Sequence, residues 1–200
     1  MIPPDIPAPQ LAVALLGQTL MSTTGGLITA VINETEAYTY YDKSCHGYGN
    51  KQSERNAPLF LAAGRWYVYF TYGMHYCANI SAEPEGMAGG VLIRGLTVTH
   101  GLPLVKARRG AKIKDNQLTN GPAKICKALN IDKSFNGSLA TDSNTSLHLN
   151  FTAHFPCCHS EQLDDFTFKR SDGLIYKITP RIGLGGNHED INRLWRFVIA

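Results

Sequence analysis

The chain has 200 residues, a length that suits one globular domain, and we expect a single domain over residues 1–200. Hydrophobic residues make up 44% and charged residues 18%, a balance that excludes an intrinsically disordered chain. The 19 Lys and Arg against 16 Asp and Glu give a net charge of +3, which allows a polyanionic partner but is far from the strongly basic character of a nucleic-acid coat protein.

The apolar segments and the cysteines indicate a cytoplasmic protein. No apolar run approaches the roughly 18 residues of a membrane span, and the first apolar stretch, residues 11–16, lacks the basic flank of a signal peptide. The five cysteines form no Cys-x-x-Cys pair and are expected to stay reduced. Adjacent cysteines fit a tetrahedral ion poorly, so we expect no metal at the zinc-like cluster formed by His154, Cys157, Cys158 and His159.

The first half of the chain predicts a helix and two hairpins. Pro9, apolar residues at helical spacing and Gly17 predict a short amphipathic helix. Residues 18–21 and 27–38 are rich in Thr, Val and Ile on either side of a Thr-Thr-Gly-Gly turn, which predicts a β-hairpin. Residues 66–70 and 75–80 flank a glycine-containing turn and predict a second, aromatic hairpin.

The second half predicts further strands and two helical stretches. A strand is expected at residues 91–94, followed by a basic helical stretch from Lys106 to Lys114. Pro122 and Asn130 bracket a short helix over residues 123–129. The pattern is weak from residue 134 to residue 172. Residues 174–179 predict an inner strand, and the apolar residues 198–199 predict a strand packed into the sheet at the very end of the chain.

Two glutamates in the first hairpin share one face of a strand. Glu34 and Glu36 are two positions apart, which places them roughly 6.5 to 7 Å apart along an extended strand. Such a pair could flank a glycosidic bond in the inverting arrangement, or could form the solvated face of a half-buried strand. Tyr38 continues this face and could stack a substrate beside the carboxylate or shield the strand.

The aromatic hairpin carries bulky residues at its turn, where small polar residues are usual. Tyr72 and Met74 flank Gly73, and an exposed apolar wedge of this kind suits insertion between base pairs from the minor groove of DNA. Alternatively, both side chains fold back onto their own hairpin. The cations between Lys106 and Lys114 indicate DNA binding only if such a wedge is present, because a basic helix face is otherwise an ordinary solvated surface.

Several short motifs follow one another in an order that is more specific than any one of them. They are Glu34-Thr35-Glu36-Ala37-Tyr38, Asp42 with His46, Arg55-Asn56, Tyr67-Val68-Tyr69 with Tyr72-Gly73-Met74, Cys77, Asn79-Ile80, Val91-Leu92-Ile93-Arg94, Asn120-Gly121-Pro122-Ala123-Lys124, and Pro180-Arg181-Ile182-Gly183 with Trp195-Arg196-Phe197. From about Leu11 onward the chain resembles the alkyladenine (3-methyladenine) DNA glycosylase family. The resemblance is weakest between residues 134 and 172, and Tyr40-Tyr41, Ala63-Gly64 and His75 depart from the family pattern.

The resemblance implies a fold and an activity. The fold is a single α+β domain, a curved antiparallel sheet with a protruding β-hairpin and flanking helices. The activity is that of a base-excision repair enzyme without lyase activity, which flips purines out of duplex DNA and hydrolyses the N-glycosidic bond. Its substrates would be alkylated or deaminated purines of the 3-methyladenine, 7-methylguanine, hypoxanthine and ethenoadenine class. The resemblance also implies a monomer that acts on double-stranded DNA without a cofactor.

Carried over position by position, the resemblance assigns roles to single residues. Glu36 is expected to be the general base, with Arg94 and the main-chain carbonyl of Ile199 holding its water. The base pocket is expected to be formed by Tyr38, His46, Tyr69 and Asn79. Tyr72 is expected to replace the flipped nucleotide in the stack. The expected DNA-binding set is Tyr72, Met74, Arg108, Arg109 and Lys124.

Two other functions stay open on the residues alone. A glycoside hydrolase would use Glu34 and Glu36 as acid and base, so that both carboxylates matter and DNA does not. A non-catalytic DNA-binding module would bind DNA without releasing a base, and both glutamates would be inert.

Overall fold

One antiparallel sheet is the framework of the computed structural model, which describes residues 1–152, 160–185 and 189–200. The described residues form three α-helices, namely α1 (Ala8–Leu15), α2 (Leu102–Arg109) and α3 (Pro122–Leu129). Within the described ranges the sheet contains ten strands, namely β1 (Thr19–Ser22), β2 (Ile28–Thr39), β3 (Trp66–Thr71), β4 (His75–Ser81), β5 (Gly89–His100), β6 (Leu147–Asn150), β7 (Glu161–Gln162), β8 (Thr167–Lys169), β9 (Ile175–Thr179) and β10 (Arg196–Ile199). The predicted α+β class is confirmed.

Strand β2 lies at the centre of this sheet. It pairs with β5 from Thr29 to Thr39 on one side, whereas β1 and β10 share its other side. The strand order is β3-β4-β5-β2-β10-β9-β8-β7, and β6 pairs with β1. Both predicted hairpins, β1–β2 and β3–β4, are confirmed. Strand β5 is longer than predicted, and α2 ends at Arg109, so that Lys112 and Lys114 lie beyond this helix.

The helices α1 and α3 pack against one face of the sheet, where the apolar core lies. Its fully buried side chains include Trp66, Ile80 and Ile93. Burying a side chain of this size contributes about 1.5 to 3 kcal/mol. The Thr35 hydroxyl donates to the Ala12 carbonyl at 2.9 Å and ties β2 to α1. One face of the sheet is therefore used for stability.

A β-bulge in β2 decides which side chains turn away from this core. The register against β5 shifts between Ile32 and Thr35. Core-facing residues are even-numbered up to Ile32 and odd-numbered from Thr35, because an extra residue reverses the alternation of a strand. Gly95 lies opposite the bulge, where a Cβ would come within 2.3 Å of Asn33. The bulge therefore places Glu36 on the face opposite the core.

The described ranges contain neither a membrane-spanning helix nor a metal-binding cluster. None of their helices is long and apolar enough to cross a bilayer. None of their residues forms a group of three or more His, Cys, Asp or Glu suited to a metal ion. The zinc-like cluster discussed above, at residues 154–159, lies outside the described residues. Cys45, Cys77 and Cys126 are free, buried thiols.

The buried carboxylate of Glu83 caps α1 from a distant part of the chain. Its Oε1 accepts a hydrogen bond of 3.1 Å from the main-chain N–H of Ala8. Burial raises the pKa of Glu83 above its ordinary value, and the Ala8 N–H opposes this shift. The folded protein therefore holds the Glu83 proton more tightly than the unfolded chain does. The contribution of this group to stability is greatest below pH 4.5, its ordinary pKa, and falls as the pH rises through the raised pKa.

We predict that Glu83→Gln stabilises the protein relative to wild type at pH 8 but not at pH 4. The amide still accepts the Ala8 N–H and carries no charge to bury. Thermal unfolding of both proteins from pH 4 to pH 8 measures the effect, for which about 2 to 4 °C in Tm corresponds to 1 kcal/mol in a chain of this size. A difference in Tm that is constant with pH would contradict the prediction.

Candidate active site

A row of side chains crosses the face of the sheet that lies opposite the core. Tyr67, Asn79, Leu92, Glu36 and Arg196 are successive cross-strand partners from β3 to β10. Because neighbouring strands lie about 4.8 Å apart, this register brings five distant parts of the sequence side by side. The first four members of the row line a cavity of about 330 Å³.

The cavity brings together most of the site residues predicted from the sequence. These are Glu36, Tyr38, His46, Tyr69, Tyr72, Asn79 and Arg94. It also contains residues to which the sequence analysis gave no role, among them Tyr67, Cys77, Pro122 and residues 182–184. Tyr67 could have been found from strand alternation, because it stands two positions before Tyr69. For residues 182–184 the signal was the motif that begins at Pro180.

Glu36 is fully buried and its carboxylate is held by three groups. Oε1 accepts from the main-chain N–H of Ile182 at 2.8 Å and lies 3.3 Å from Nε of Arg94. Oε2 accepts from the Tyr38 hydroxyl at 2.8 Å. A carboxylate offers about four acceptor positions, and the contacts of Glu36 are two hydrogen bonds and one ion pair.

Glu34 differs from Glu36 in both its partners and its place. Its Oε1 accepts from Nε of Arg196 at 2.6 Å and pairs with Nε of Arg94 at 2.9 Å. Two guanidinium groups thus neutralise this carboxylate, and it does not line the cavity. A single carboxylate, that of Glu36, faces the cavity among the described residues.

Tyr38 forms the wall of the cavity next to Glu36. Burial, followed by the charge of Glu36, raises the pKa of Tyr38 well above its ordinary value, and Arg181 opposes this shift. The phenol therefore stays protonated and donates its hydrogen bond to the carboxylate. The Arg181 guanidinium lies 4.6 Å from the centre of the Tyr38 ring.

Another part of the wall is aromatic and uncharged. Nδ1 of His46 shares a hydrogen bond of 2.8 Å with the Tyr67 hydroxyl, and the His46 ring meets the Tyr69 ring edge-on at 4.5 Å. Tyr67 stacks on Tyr69 with their ring centres 5.3 Å apart. Burial raises the pKa of both tyrosines above its ordinary value and raises the pKa of the Cys45 thiol to about 12. These groups are therefore protonated and neutral at physiological pH.

Two amides fix the position of this wall. Nδ2 of Asn56 donates to the carbonyl of His46 at 2.9 Å and holds the loop that carries the imidazole. Nδ2 of Asn79 donates to the carbonyl of Tyr67 at 3.0 Å, so the Asn79 side chain is fixed between β3 and β4 on the cavity floor.

The tip of the β3–β4 hairpin presents two bulky side chains to solvent. Tyr72 is 85% exposed and Met74 is 69% exposed, so these side chains do not fold back onto their own hairpin. Tyr72 and Gly73 both have positive φ, 51° and 65°, as in a type I′ turn, where Asn-Gly is favoured. A tyrosine in the left-handed region costs about 1 to 2 kcal/mol, so the exposed ring is kept at the expense of stability. Tyr72 also lies at the edge of the cavity.

The structure does not bring Ile199 to the site. Arg196 is the residue opposite Glu36, and Ile199 lies about 10 Å further along β10, paired with Tyr176. Ile182 supplies the main-chain group that contacts Glu36. The expectation that the Ile199 carbonyl holds the water is corrected accordingly.

The predicted DNA-binding cations divide into two groups. Arg108 donates to the carbonyls of Ala128 and Thr24, and Arg109 donates to the carbonyl of Leu118, so both fasten α2 to neighbouring segments. Neither lines the cavity. Lys124 lies on α3, the first residue of which, Pro122, does line it.

Comparison with known proteins identifies the family to which this chain belongs. The family model described as Methylpurine-DNA glycosylase (MPG) matches residues 4–200. The chain belongs to this family, which confirms the resemblance stated from the motifs. The same finding sets aside the non-catalytic DNA-binding module.

Individual relatives agree with the family model. A probable DNA-3-methyladenine glycosylase of Encephalitozoon cuniculi is 43% identical over 130 residues, 64% of this chain and 62% of that protein, so the match spans less than two thirds of that relative. A putative 3-methyladenine DNA glycosylase of Francisella tularensis is 41% identical over 138 residues, 68% of this chain and 70% of that protein. A protein of the same description from Clostridium perfringens is 34% identical over 198 residues, 94% of this chain and 89% of that protein.

Proposed function

We propose that this protein excises alkylated and deaminated purines from duplex DNA by rotating the nucleotide into the cavity and hydrolysing its N-glycosidic bond. The observation that carries the proposal is one buried carboxylate in the lining of an aromatic cavity beside an exposed hairpin tip. The names of the relatives support 3-methyladenine as a substrate. Hypoxanthine, 7-methylguanine and ethenoadenine belong to the same proposed class.

Extrusion of the nucleotide is required by the geometry of DNA. The C1′ atom is inaccessible inside a stacked duplex, and rotating the nucleotide outward costs a few kcal/mol. Tyr72 would occupy the vacated space; the exposure of its ring at the hairpin tip and its position at the edge of the cavity support this role. Met74 would contact the neighbouring base pair from the same tip.

Recognition of the damaged base follows from the aromatic walls. Purines methylated at N3 or N7 are cationic, and a cation against an aromatic ring gains about 0.5 to 2 kcal/mol for each contact. Tyr38, Tyr69 and His46 offer these contacts within one cavity. An undamaged purine is neutral and gains less, so the cavity favours the damaged base.

Hydrolysis needs one base and no strong acid when the leaving group is already cationic. The bond between C1′ and the base nitrogen breaks with its electron pair on the base, which leaves neutral. Water adds to C1′, and Glu36 accepts its proton at Oε2 while its charge offsets the positive charge that develops on the sugar. Arg94, whose Nε lies 3.3 Å from Oε1, pairs with the carboxylate and lines the same cavity. Because water is the nucleophile, no Schiff base forms and no lyase step follows.

The test of this function uses duplexes that carry a single damaged purine. We expect free base and alkali-labile abasic sites from duplexes with 7-methylguanine, 3-methyladenine or hypoxanthine, and none from the undamaged duplex. Absence of free base with all three would contradict the proposal. Strand cleavage without alkali would contradict its hydrolytic, lyase-free mechanism.

Glu36 and Glu34 form a matched pair of variants. We predict that Glu36→Gln lowers the single-turnover rate of base release about 10²- to 10⁴-fold, the usual effect of losing a general base, with DNA affinity changed less than about twofold. Glu34→Gln should cost far less, because Glu34 does not line the cavity. Equal losses in the two variants would favour the two-carboxylate mechanism instead.

Tyr72 can be replaced without disturbing its turn. We predict that Tyr72→Asn keeps or raises Tm, since Asn-Gly suits a type I′ turn. We also predict that it lowers base release from duplex DNA about tenfold, because the tyrosine ring no longer offsets part of the few kcal/mol that extrusion of the nucleotide costs. Tyr72→Ala should lower base release by the same factor, and its turn should be less stable than that of Tyr72→Asn. Release from single-stranded DNA, where no stack must be filled, serves as the control. An equal loss on single and double strands would show that Tyr72 has a structural role only.

Asn79 is expected to discriminate among purines. Its amide is fixed on the cavity floor, where it would crowd the exocyclic 2-amino group of guanine. We predict that Asn79→Ser raises the release of normal guanine relative to hypoxanthine. The ratio of the two single-turnover rates measures this effect, and an unchanged ratio would exclude the role.

A further inference from the structure

Arg181 is a fully buried guanidinium that joins three segments around the site. It pairs with both carboxylate oxygens of Asp42, at the start of the loop that leads to His46. Nη1 also donates to the carbonyl of Ala37 at 2.9 Å, between Glu36 and Tyr38 in β2. Nη2 donates to the carbonyl of Asp190 at 2.8 Å.

The same guanidinium supports the aromatic wall from behind. It lies 4.6 Å from the ring centre of Tyr38 and 5.4 Å from that of Trp195. Tyr38 lines the cavity and Arg181 does not, so Arg181 is on the side of the ring that faces away from the substrate. It can orient Tyr38 but cannot touch a base in the cavity.

Arg181 is also the residue before the N–H that holds Glu36. The main chain of Ile182 donates to Oε1 of Glu36 at 2.8 Å, whereas the Ile182 side chain is 47% exposed. The direction of this N–H therefore depends on the anchoring of the preceding residue. Arg181 provides that anchor through its contacts with Asp42, Ala37 and Asp190.

Stability alone is a poor explanation for this arrangement. A buried ion pair loses hydration that its mutual attraction often only balances, and an apolar replacement is frequently as stable. The planar guanidinium, however, fixes direction through several simultaneous bonds and stacks on rings, which a lysine cannot reproduce.

We infer that Arg181 is a positioning residue for base release, which fixes the Tyr38 wall and the Ile182 N–H and so the carboxylate of Glu36. It acts through these groups and contacts neither DNA nor the base. The inference rests on the proposed function, because the groups that it positions are those assigned to base binding and to water activation.

Arg170 provides a matched control within the same chain. It is buried, it donates to the carbonyls of Val13 and Leu16 at 2.7 and 3.0 Å, and it forms a two-bonded pair with Asp172. Like Arg181 it bonds to main-chain carbonyls and to one carboxylate, but it lies over neither of the two rings that Arg181 contacts and does not line the cavity. Replacing Arg170 therefore measures the effect of losing a buried arginine that is not next to the cavity.

The experiment compares Arg181→Lys with Arg170→Lys on a duplex containing 7-methylguanine, each at the same interval below its own Tm. We expect Arg181→Lys to lower the single-turnover release rate about 10- to 100-fold, the range typical of a misplaced catalytic geometry, while the Kd for DNA changes less than about twofold. Arg170→Lys should release base at the wild-type rate.

The outcomes separate this inference from the proposed function. Equal release by the two variants, or a loss in Arg181→Lys that is matched by an equal loss of DNA affinity, would overturn the positioning role while wild-type release still supports the proposed function. If Arg181→Lys does not fold, Asp42→Asn serves instead, because it leaves Arg181 bonded to Ala37 and Asp190 and removes the carboxylate that orients it. A wild-type release rate in Asp42→Asn would likewise overturn the inference.

Discussion

A carboxylate that is shielded completely from water must find its hydrogen-bond donors within the protein, since an unpaired buried charge costs many kcal/mol. At Glu36 these donors are the Tyr38 hydroxyl, two residues away in β2, and the main-chain N–H of Ile182, far along the chain, while Arg94 on β5 adds an ion pair. The cavity is built around this requirement. Two hydrogen bonds and one ion pair from the surrounding protein therefore compensate for the lost hydration of this charge.

The sheet divides its two faces between stability and chemistry. The core face packs against α1 and α3, and the bulge before Thr35 turns Glu36 and Tyr38 onto the other face. Gly95 permits the bulge, because a larger residue would collide with Asn33. A change at Gly95 would therefore act on the site through strand register and not through contact with the cavity.

Two features near the cavity lower the stability of the protein, and the cavity gives the reason for keeping them. Tyr72 holds a left-handed conformation and exposes an aromatic ring, and Arg181 with Asp42 buries two opposite charges. Strained and buried polar elements of this kind concentrate at functional sites, where the surrounding structure compensates for them. Here the compensation is the apolar core on the other face of the sheet.

The sequence by itself determined the local elements, because their signals are local. Pro122 and Asn130 marked the ends of α3, and alternation around Gly73 marked the aromatic hairpin. Motif order was enough to bring Glu36, Tyr38 and Asn79 into one site. Only the tertiary structure decided which groups surround Glu36. Two arginines neutralise Glu34, and Ile182 instead of Ile199 lies beside Glu36. Arg108 and Arg109 are anchored on main-chain carbonyls. These contacts depend on register and packing between segments far apart in the chain, which no local pattern encodes.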